Sequence, residues 1–524
     1  MMDMPAAGEE FILVLDQGSS SSRALAFDLK GTVRFKARRK LEAVYPSPGR
    51  AEYDAEEIFK TQKESLSEAL SKLPPGSKVL ALAVAAQRST VVLWDKRTGA
   101  PLCPALSWQD GRALELLSEI SLSNRIIHDV TGLYKTPYYS ASKIAWCLKN
   151  YPGVKKAAEE KNLLVAPVAG FLLWKFSKGA VFALDPGQAQ RTLLFNIRRL
   201  GWDKRLLEAF GVPPGSLPEV RPSFGDYGSF DADGFTLPVR AMMGDQQAAM
   251  LGLGVEGENA AALNYGTGAF LLVNTGTRPV KIRGLLNSVG WPPYPPKAEA
   301  GQAPPFFRSG QRAGQGKKSL CYFTESTVNS AGTALEWLKV KFGLFEDIGD
   351  VDGMCRKSKN RLFCLPAIGG IGSPYWDFSA FTTFTGFSAA SDKNDLVRGV
   401  LEGVAFMVAD SLDLIKRRGF KIEELKVSGG LSKINWLLQF QADITGVKVL
   451  RLEEAEATAA GAALAAARSI GLELSWKVRT SSEEFLPRLA EEERKKLLKS
   501  WRAFVKAARK TSLVLRRLGA LPHG

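Results

Sequence analysis

The chain has 524 residues, 45% hydrophobic and 24% charged, an ordinary balance for a soluble globular protein but too long for a single core, so two to four domains are expected. Its 70 Lys and Arg against 54 Asp and Glu give a net charge of +16, yet no zinc finger, RNA-recognition signature or basic zipper accompanies the excess, and nucleic acid is not an expected partner. With only two histidines, serine-hydrolase triads and His-rich metal sites lack raw material, so acid–base chemistry falls to carboxylates. His128, in RIIHDV, reads as a packed residue. No apolar run reaches the ~20 residues of a membrane span. The opening MMDMPAAGEE has no apolar core of a secretory signal, and the five cysteines show no CxxC spacing. A reducing cytoplasm is the expected location.

The opening FILVLDQGSSSSRALAFDLKG predicts two strands, Phe11–Leu15 and Ala24–Phe27, around a glycine–serine turn. Gly18 admits backbone angles other residues resist. The amides and hydroxyls of Ser19 to Ser22 form a donor set suited to phosphate oxygens. Asp16, at the strand end, is placed to hold a hydrated Mg²⁺ beside them. A dinucleotide fold needs strand, glycine turn, then helix, but here the turn leads into another strand. The nearest imitation of a P-loop, GQGKKS at Gly314–Ser319, follows no apolar strand and reads as a basic loop.

Further along, Glu56–Leu73 is helical and stops at Pro74-Pro75-Gly76, and Val79–Ala86 and Val91–Trp94 are compact strands. This alternation of helix and strand predicts an α/β protein. From about residue 254 the opening style returns: strand Ala260–Tyr265, a Gly-Thr-Gly turn, strand Phe270–Asn274. Residues 288–318, rich in Pro, Gly and basic residues, read as a long surface loop. Asp392–Arg418 is a predicted helix, VSGG at Val427–Gly430 a strand end whose glycines admit a flat base, and Glu453–Ile470 a closely packed Ala-rich helix. From Arg494 onward there is no acidic residue, but Leu497, Trp501, Phe504, Val505 and Ala508 recur at helical spacing and predict a docked face. Met243-Gly244-Asp245 puts a carboxylate after an apolar strand end. Asp245 is a candidate base for an alcohol proton, or else an N-cap for a helix beginning at Gln246.

DQGSSSSR, QRS at Gln87, WQD at Trp108, PYYSASK at Pro137, QRTLLFN at Gln190, GDQQAA at Gly244, YGTG at Tyr265 and PYWD at Pro374 occur in this order. In these segments the chain resembles the FGGY carbohydrate kinases, and among them the branch that phosphorylates glycerol, over about residues 11 to 510. The resemblance implies an α/β fold of two actin-like ATPase (ribonuclease H-like) domains, 9–253 and 254–515, with the active site in the interdomain cleft. It implies ATP and Mg²⁺ as cosubstrate and cofactor, glycerol as acceptor, sn-glycerol 3-phosphate as product and Asp245 as general base. By resemblance Ser19, Ser20, Ser21 and Arg23 would contact phosphates, and Thr267, Gly332 and Gly430 would complete the nucleotide site. Arg88, Ser89, Trp108, Tyr138, Asp245, Gln246 and Phe270 would line the polyol pocket. A homodimer or higher homo-oligomer is expected.

The departures are specific. Ser89 stands where that branch has Glu, and losing a charge-assisted hydrogen bond costs roughly 1.5–3 kcal/mol, about 10- to 150-fold in binding. Ile434 and Glu336 stand near the base where the branch has Asn and Gln. Another small polyol or a ketose is therefore the alternative acceptor. A weakly active nucleotide-binding regulator is a third reading, opposed by the joint presence of Asp16, Asp245 and Thr267.

Overall fold

Seven of the eight residues of β1 (Glu10–Gln17) are buried, as expected of a strand covered on both faces. This computed structural model describes residues 8–292, 320–452, 456–472 and 483–519. β1 pairs antiparallel with β2 (Ser21–Asp28), which pairs antiparallel with β3 (Val33–Lys40). On its other side β1 runs parallel to β4 (Lys78–Ala86), itself parallel to β5 (Phe235–Gly244).

The same plan recurs in the second half. There β6 (Ala261–Tyr265) pairs antiparallel with β7 (Ala269–Asn274), and β7 with β8 (Tyr322–Val328). β6 also runs parallel to β9 (Glu424–Ser428), and β9 to β10 (Lys448–Arg451). The strand order 3-2-1-4-5 thus occurs twice, each copy with its glycine hairpin between the first two strands. Sequential antiparallel strands need only tight turns, whereas the parallel pairs require long crossovers, which here carry the helices.

α1 (Ala55–Ser71) covers the first sheet. Its N-cap Asp54 accepts the Glu56 and Glu57 amides, and Pro74-Pro75 lies just beyond its end. Between β4 and β5 a lobe carries α2 (Ser140–Asn150), whose Ile144 and Cys147 join Val91 and Leu93 in a separate apolar cluster. The chain then passes from β5 directly into α3 (Asp245–Gly252). The second half adds α4 (Gly332–Phe342), α5 (Lys393–Lys416) and α6 (Asn435–Thr445). Asp392 and Asp395 close a reciprocal cap on α5. The Ala-rich α7 (Ala457–Ser469) and α8 (Glu491–Arg517) follow. Trp501, Val505 and Ala508 of α8 are buried as expected, but Leu498 is buried where Leu497 is only partly so.

α7 follows the second sheet in sequence yet packs against β1, β4 and β5 of the first, its alanines sharing a core with Ile12, Val14 and Ala83. It meets α3 backbone to backbone. A Cβ on Gly461 would stand 1.8 Å from the Ala248 carbonyl oxygen, and one on Gly252 would stand 2.0 Å from that of Ala457. Gly461→Ala is therefore expected to lower stability by about 1–3 kcal/mol through overpacking. A thermal melt checks this, and an unchanged melting temperature would show that the contact yields.

The structure corrects one boundary. Residues 286–289, overlapping the predicted loop, form a fully buried strand on β8, and Trp291 is buried against Phe323. Pairing with β8 overrides the local Gly and Pro signals. The rest of that predicted loop, from residue 293, and the Gly314–Ser319 segment lie outside the described residues. All five cysteines are free and buried. His128 is packed, stacked on Tyr134 with Nε2 3.0 Å from the Leu285 carbonyl. No helix of the described residues is long and apolar enough to cross a membrane.

Candidate active site

The first hairpin is held at its tip by its own backbone and by neighbours. Gly18 N–H donates to Ser21 O at 2.9 Å, Tyr53 Oη donates to Ser19 O at 2.9 Å, and Leu41 N–H donates to Ser20 O at 3.0 Å. Ser19 and Ser20 are exposed and Ser21 begins β2. Ser22 does not join the expected donor set. Strand alternation turns it inward, where its hydroxyl donates to Gln17 Oε1 at 2.8 Å and lies 2.8 Å from Thr61 Oγ1. Arg23 and Asp16, expected on phosphate and metal, are paired with one another, and Arg23 also reaches Glu456 at 2.5 Å. Lys36 pairs with the same Glu456. Burial pushes the Asp16 carboxyl up to about 6, against the pull of Arg23, with Asp245 and Glu456 adding to the rise.

The second hairpin opens onto a cavity of about 720 Å³. Thr267, Gly332 and Gly430 all line it, together with Trp337, Ile368 and Leu431. Its apolar walls and small-residue floor suit a flat aromatic base with a polar tail. Gly332 is needed here: a Cβ would stand 2.7 Å from Gly266 O, so only glycine lets the start of α4 close on the hairpin. Gly429 has φ +97°, and a Cβ there would stand 2.5 Å from the Tyr265 carbonyl oxygen. Glu336 lines the cavity, whereas Ile434 is buried in the core beside it. A larger groove, about 820 Å³, runs along the outer face of α1 and touches none of the expected site residues.

Between the two sheets stands a chain of charges, buried at Arg191 and Glu325, nearly so at Arg88 and partly exposed at Asp245. Asp245 is the first residue of α3, with Gly244 as N-cap, and its Oδ1 accepts the Gln246 amide at 2.7 Å. Arg88, two residues past the end of β4, places Nε 3.4 Å from that Oδ1 and Nη1 3.4 Å from Glu325 Oε2 on β8. Gly244 makes room for it, since a Cβ there would lie 2.8 Å from Arg88 Cδ. Glu325 also pairs with Arg191 and accepts from Ser288 Oγ at 2.6 Å. The Asp245 side chain is 30% exposed. Burial raises its carboxyl above the ordinary carboxylate range, Arg88 and Arg191 pull it down, and Glu325 pushes it up.

The remaining expected pocket residues lie on several segments. Trp108, Tyr138, Gln246 and Phe270 are half-buried, and Tyr138 meets Phe378 edge-on at 5.8 Å. Ser89 has φ +67° and its hydroxyl donates to the Arg191 carbonyl at 3.3 Å. Glu325 and Arg191 were not among the expected site residues. QRTLLFN carried Arg191 in plain view, but nothing local marks Glu325 within YFTESTV.

The profile of the FGGY family of carbohydrate kinases matches the chain in both its parts, the N-terminal domain at residues 11–252 and the C-terminal domain at 261–470. The chain is 36% identical over 515 residues to a glycerol kinase of Shewanella piezotolerans, covering 96% of this chain and 100% of the relative. It is 38% identical over 516 residues to a glycerol kinase of Thermus brockianus, covering 95% and 99%. Among solved structures, Plasmodium falciparum glycerol kinase with ADP superposes at a TM-score of 0.85 with 26% identity, covering 96% of this chain and 99% of that one. A xylulose kinase from Rhodospirillum rubrum shares the fold at a TM-score of 0.80 and 22% identity, covering 96% and 99%.

Proposed function

The chain belongs to the FGGY family of carbohydrate kinases, and we propose that within it this enzyme transfers the γ-phosphoryl group of ATP to glycerol, giving sn-glycerol 3-phosphate and ADP. The observation that carries this reading is the position of Asp245, a partly buried carboxylate held against Arg88 between the two sheets and near Asp16 of the glycine hairpin. In the reaction the acceptor hydroxyl oxygen bonds the γ-phosphorus, the bond to the ADP oxygen breaks, and the hydroxyl proton passes to Asp245. Positioning and electrostatics dominate such transfers. Ser19, Ser20, Ser21 and Thr267 offer hydroxyls and amides to phosphate oxygens, Gly332 and Gly430 floor the base site, and Arg23 is close enough to exchange a carboxylate for a phosphate. Arg88, Tyr138 and Gln246 satisfy the acceptor's hydroxyls, while Trp108 and Phe270 pack its carbon edge.

Mg²⁺ binds through one or two carboxylates and substrate phosphates, keeping several waters. Asp16 and Asp245 fit that pattern. Asp245 lies near enough for its charge to oppose the ionisation of Asp16, a repulsion a cation relieves. The ion would supply neutralisation of phosphate charge.

Because Asp245 must be ionised to accept a proton, kcat/KM is expected to fall as pH falls through its value in the folded protein. Burial holds that value above 3.8, so the acid limb of the pH–rate profile lies above the ordinary carboxylate range. Asp245→Asn removes the limb together with most of the rate.

A second reading is favoured by Ser89. Its hydroxyl is turned onto the Arg191 carbonyl, so it brings no charged acceptor to the polyol. Release of ADP over a panel of polyols and ketoses decides. Saturation with glycerol at the highest kcat/KM supports the first reading, and saturation with a ketose alone replaces it with the second. ATP binding without turnover on any acceptor overturns both.

A further inference from the structure

Lysine is almost never fully buried unless paired, because an ammonium without compensation is costly inside a protein. Lys143, on α2, is 0% exposed. The nearest carboxylate facing it, Asp110, is committed to Arg112 at 2.8 Å and to the Ala51 amide at 2.7 Å. Lys143 Nζ donates instead to three peptide carbonyls: Ser107 O at 2.6 Å, Tyr138 O at 2.9 Å and Ser89 O at 3.4 Å.

These carbonyls come from three separate segments. Ser89 follows Arg88, Ser107 precedes Trp108, and Tyr138 is itself an expected pocket residue. One cation therefore gathers the main chain of three of the side chains assigned above to the polyol. Ser89 adopts φ +67°, a conformation that a non-glycine residue holds only when its surroundings fix it. Its carbonyl is fixed twice, since Ser140 Oγ also donates to it at 3.2 Å.

We propose that Lys143 is a positioning residue: its ammonium sets the acceptor pocket by holding the carbonyls of Ser89, Ser107 and Tyr138 on one centre. The inference rests on the reading of that pocket as the polyol site. An ammonium has three N–H donors and matches three carbonyls, whereas a neutral amine has two and releases one of the three from the shared centre. Burial lowers the Lys143 pKa to about 7, Asp110 and Cys147 oppose this, and Arg112 adds to it. Cys103, 3.9 Å from Cys147, closes the same core. The matched state is thus the one below about pH 7, and the acceptor KM rises as pH climbs through it.

Two measurements on the full-length protein test the proposal. In Lys143→Met, amide hydrogen exchange should accelerate together in the segments around 88–90, 107–109 and 137–139, with the two glycine hairpins unchanged. The acceptor KM should rise by about 10- to 100-fold, the cost of displacing a positioned group by about an ångström. The KM for MgATP should stay within about twofold, and the alkaline rise of the acceptor KM should disappear. Ser140→Ala keeps the ammonium and removes one donor on Ser89 O, so it should loosen 88–90 alone, and it serves if the methionine variant does not fold. Wild-type exchange in all three segments of Lys143→Met, or in 88–90 of Ser140→Ala, overturns the proposal. An equal rise of both KM values in a folded Lys143→Met does the same. Loosening of the three segments in an enzyme that phosphorylates no polyol upholds the hub and removes the polyol reading.

Discussion

Asp245→Asn lowers kcat by about 10²- to 10⁴-fold, the usual contribution of a positioned general base, while leaving the KM for MgATP close to that of the wild type. Asparagine keeps the size of the side chain, and its amide oxygen still accepts the Gln246 N–H, so the start of α3 is preserved. What it loses is the ability to take a proton and the charge facing Arg88. ADP release at saturating acceptor checks the loss, and circular dichroism confirms the fold. Full turnover in this variant would move the base elsewhere, and the buried candidates near it are Asp16 and Glu325.

Glu325→Gln lowers the free energy of unfolding by about 3–5 kcal/mol, the cost of breaking a buried ion pair and leaving its partner uncompensated. Burial alone would raise the Glu325 carboxyl, but Arg191 and Arg88, with the Ser288 hydroxyl, hold it down at about 2. Its folded value is therefore depressed. The stabilisation is fully present above the ordinary value of 4.5 and is lost as pH falls toward 2. The urea midpoint at neutral pH reads the first effect, and the narrowing gap between variant and wild type in acid reads the second. Glu325→Leu combined with Arg191→Met recovers part of the loss, because an apolar pair of similar volume needs no desolvation. An unchanged midpoint in the single variant would mean that water already screens the cluster.

The hairpins were legible because their chemistry is local. A glycine turn between two apolar runs writes its own geometry, and finding it twice fixed the doubled plan. Asp245 was legible for the same reason, as a carboxylate on the step from strand to helix. Glu325 was not, since it meets Arg191 across 134 positions of sequence and only the closing of the two sheets brings them together. Ser22 shows the finer limit: four serines in a row look alike in sequence, and strand alternation alone separates the fourth from the tip. Ser89 reads in sequence as a shortened residue beside the pocket Arg; its left-handed backbone and its hydrogen bond to the Arg191 carbonyl are set by the fold and not by the neighbouring sequence. Residues 288–291 misled through composition, because pairing with β8 outweighs the Gly and Pro signals around them.

The contact of Gly252 with Gly461 sets how closely the two halves of the chain can approach. Around it, side chains of α3 and α7 share one apolar cluster with β1 and β4 of the first sheet and with Ala262 and Leu272 of the second. The halves are thus welded through a common core, and the two glycines are the points at which that weld is thinnest. A bulkier residue at either position would have to part the shared core, so its cost falls on the joint between the halves and not on either sheet alone.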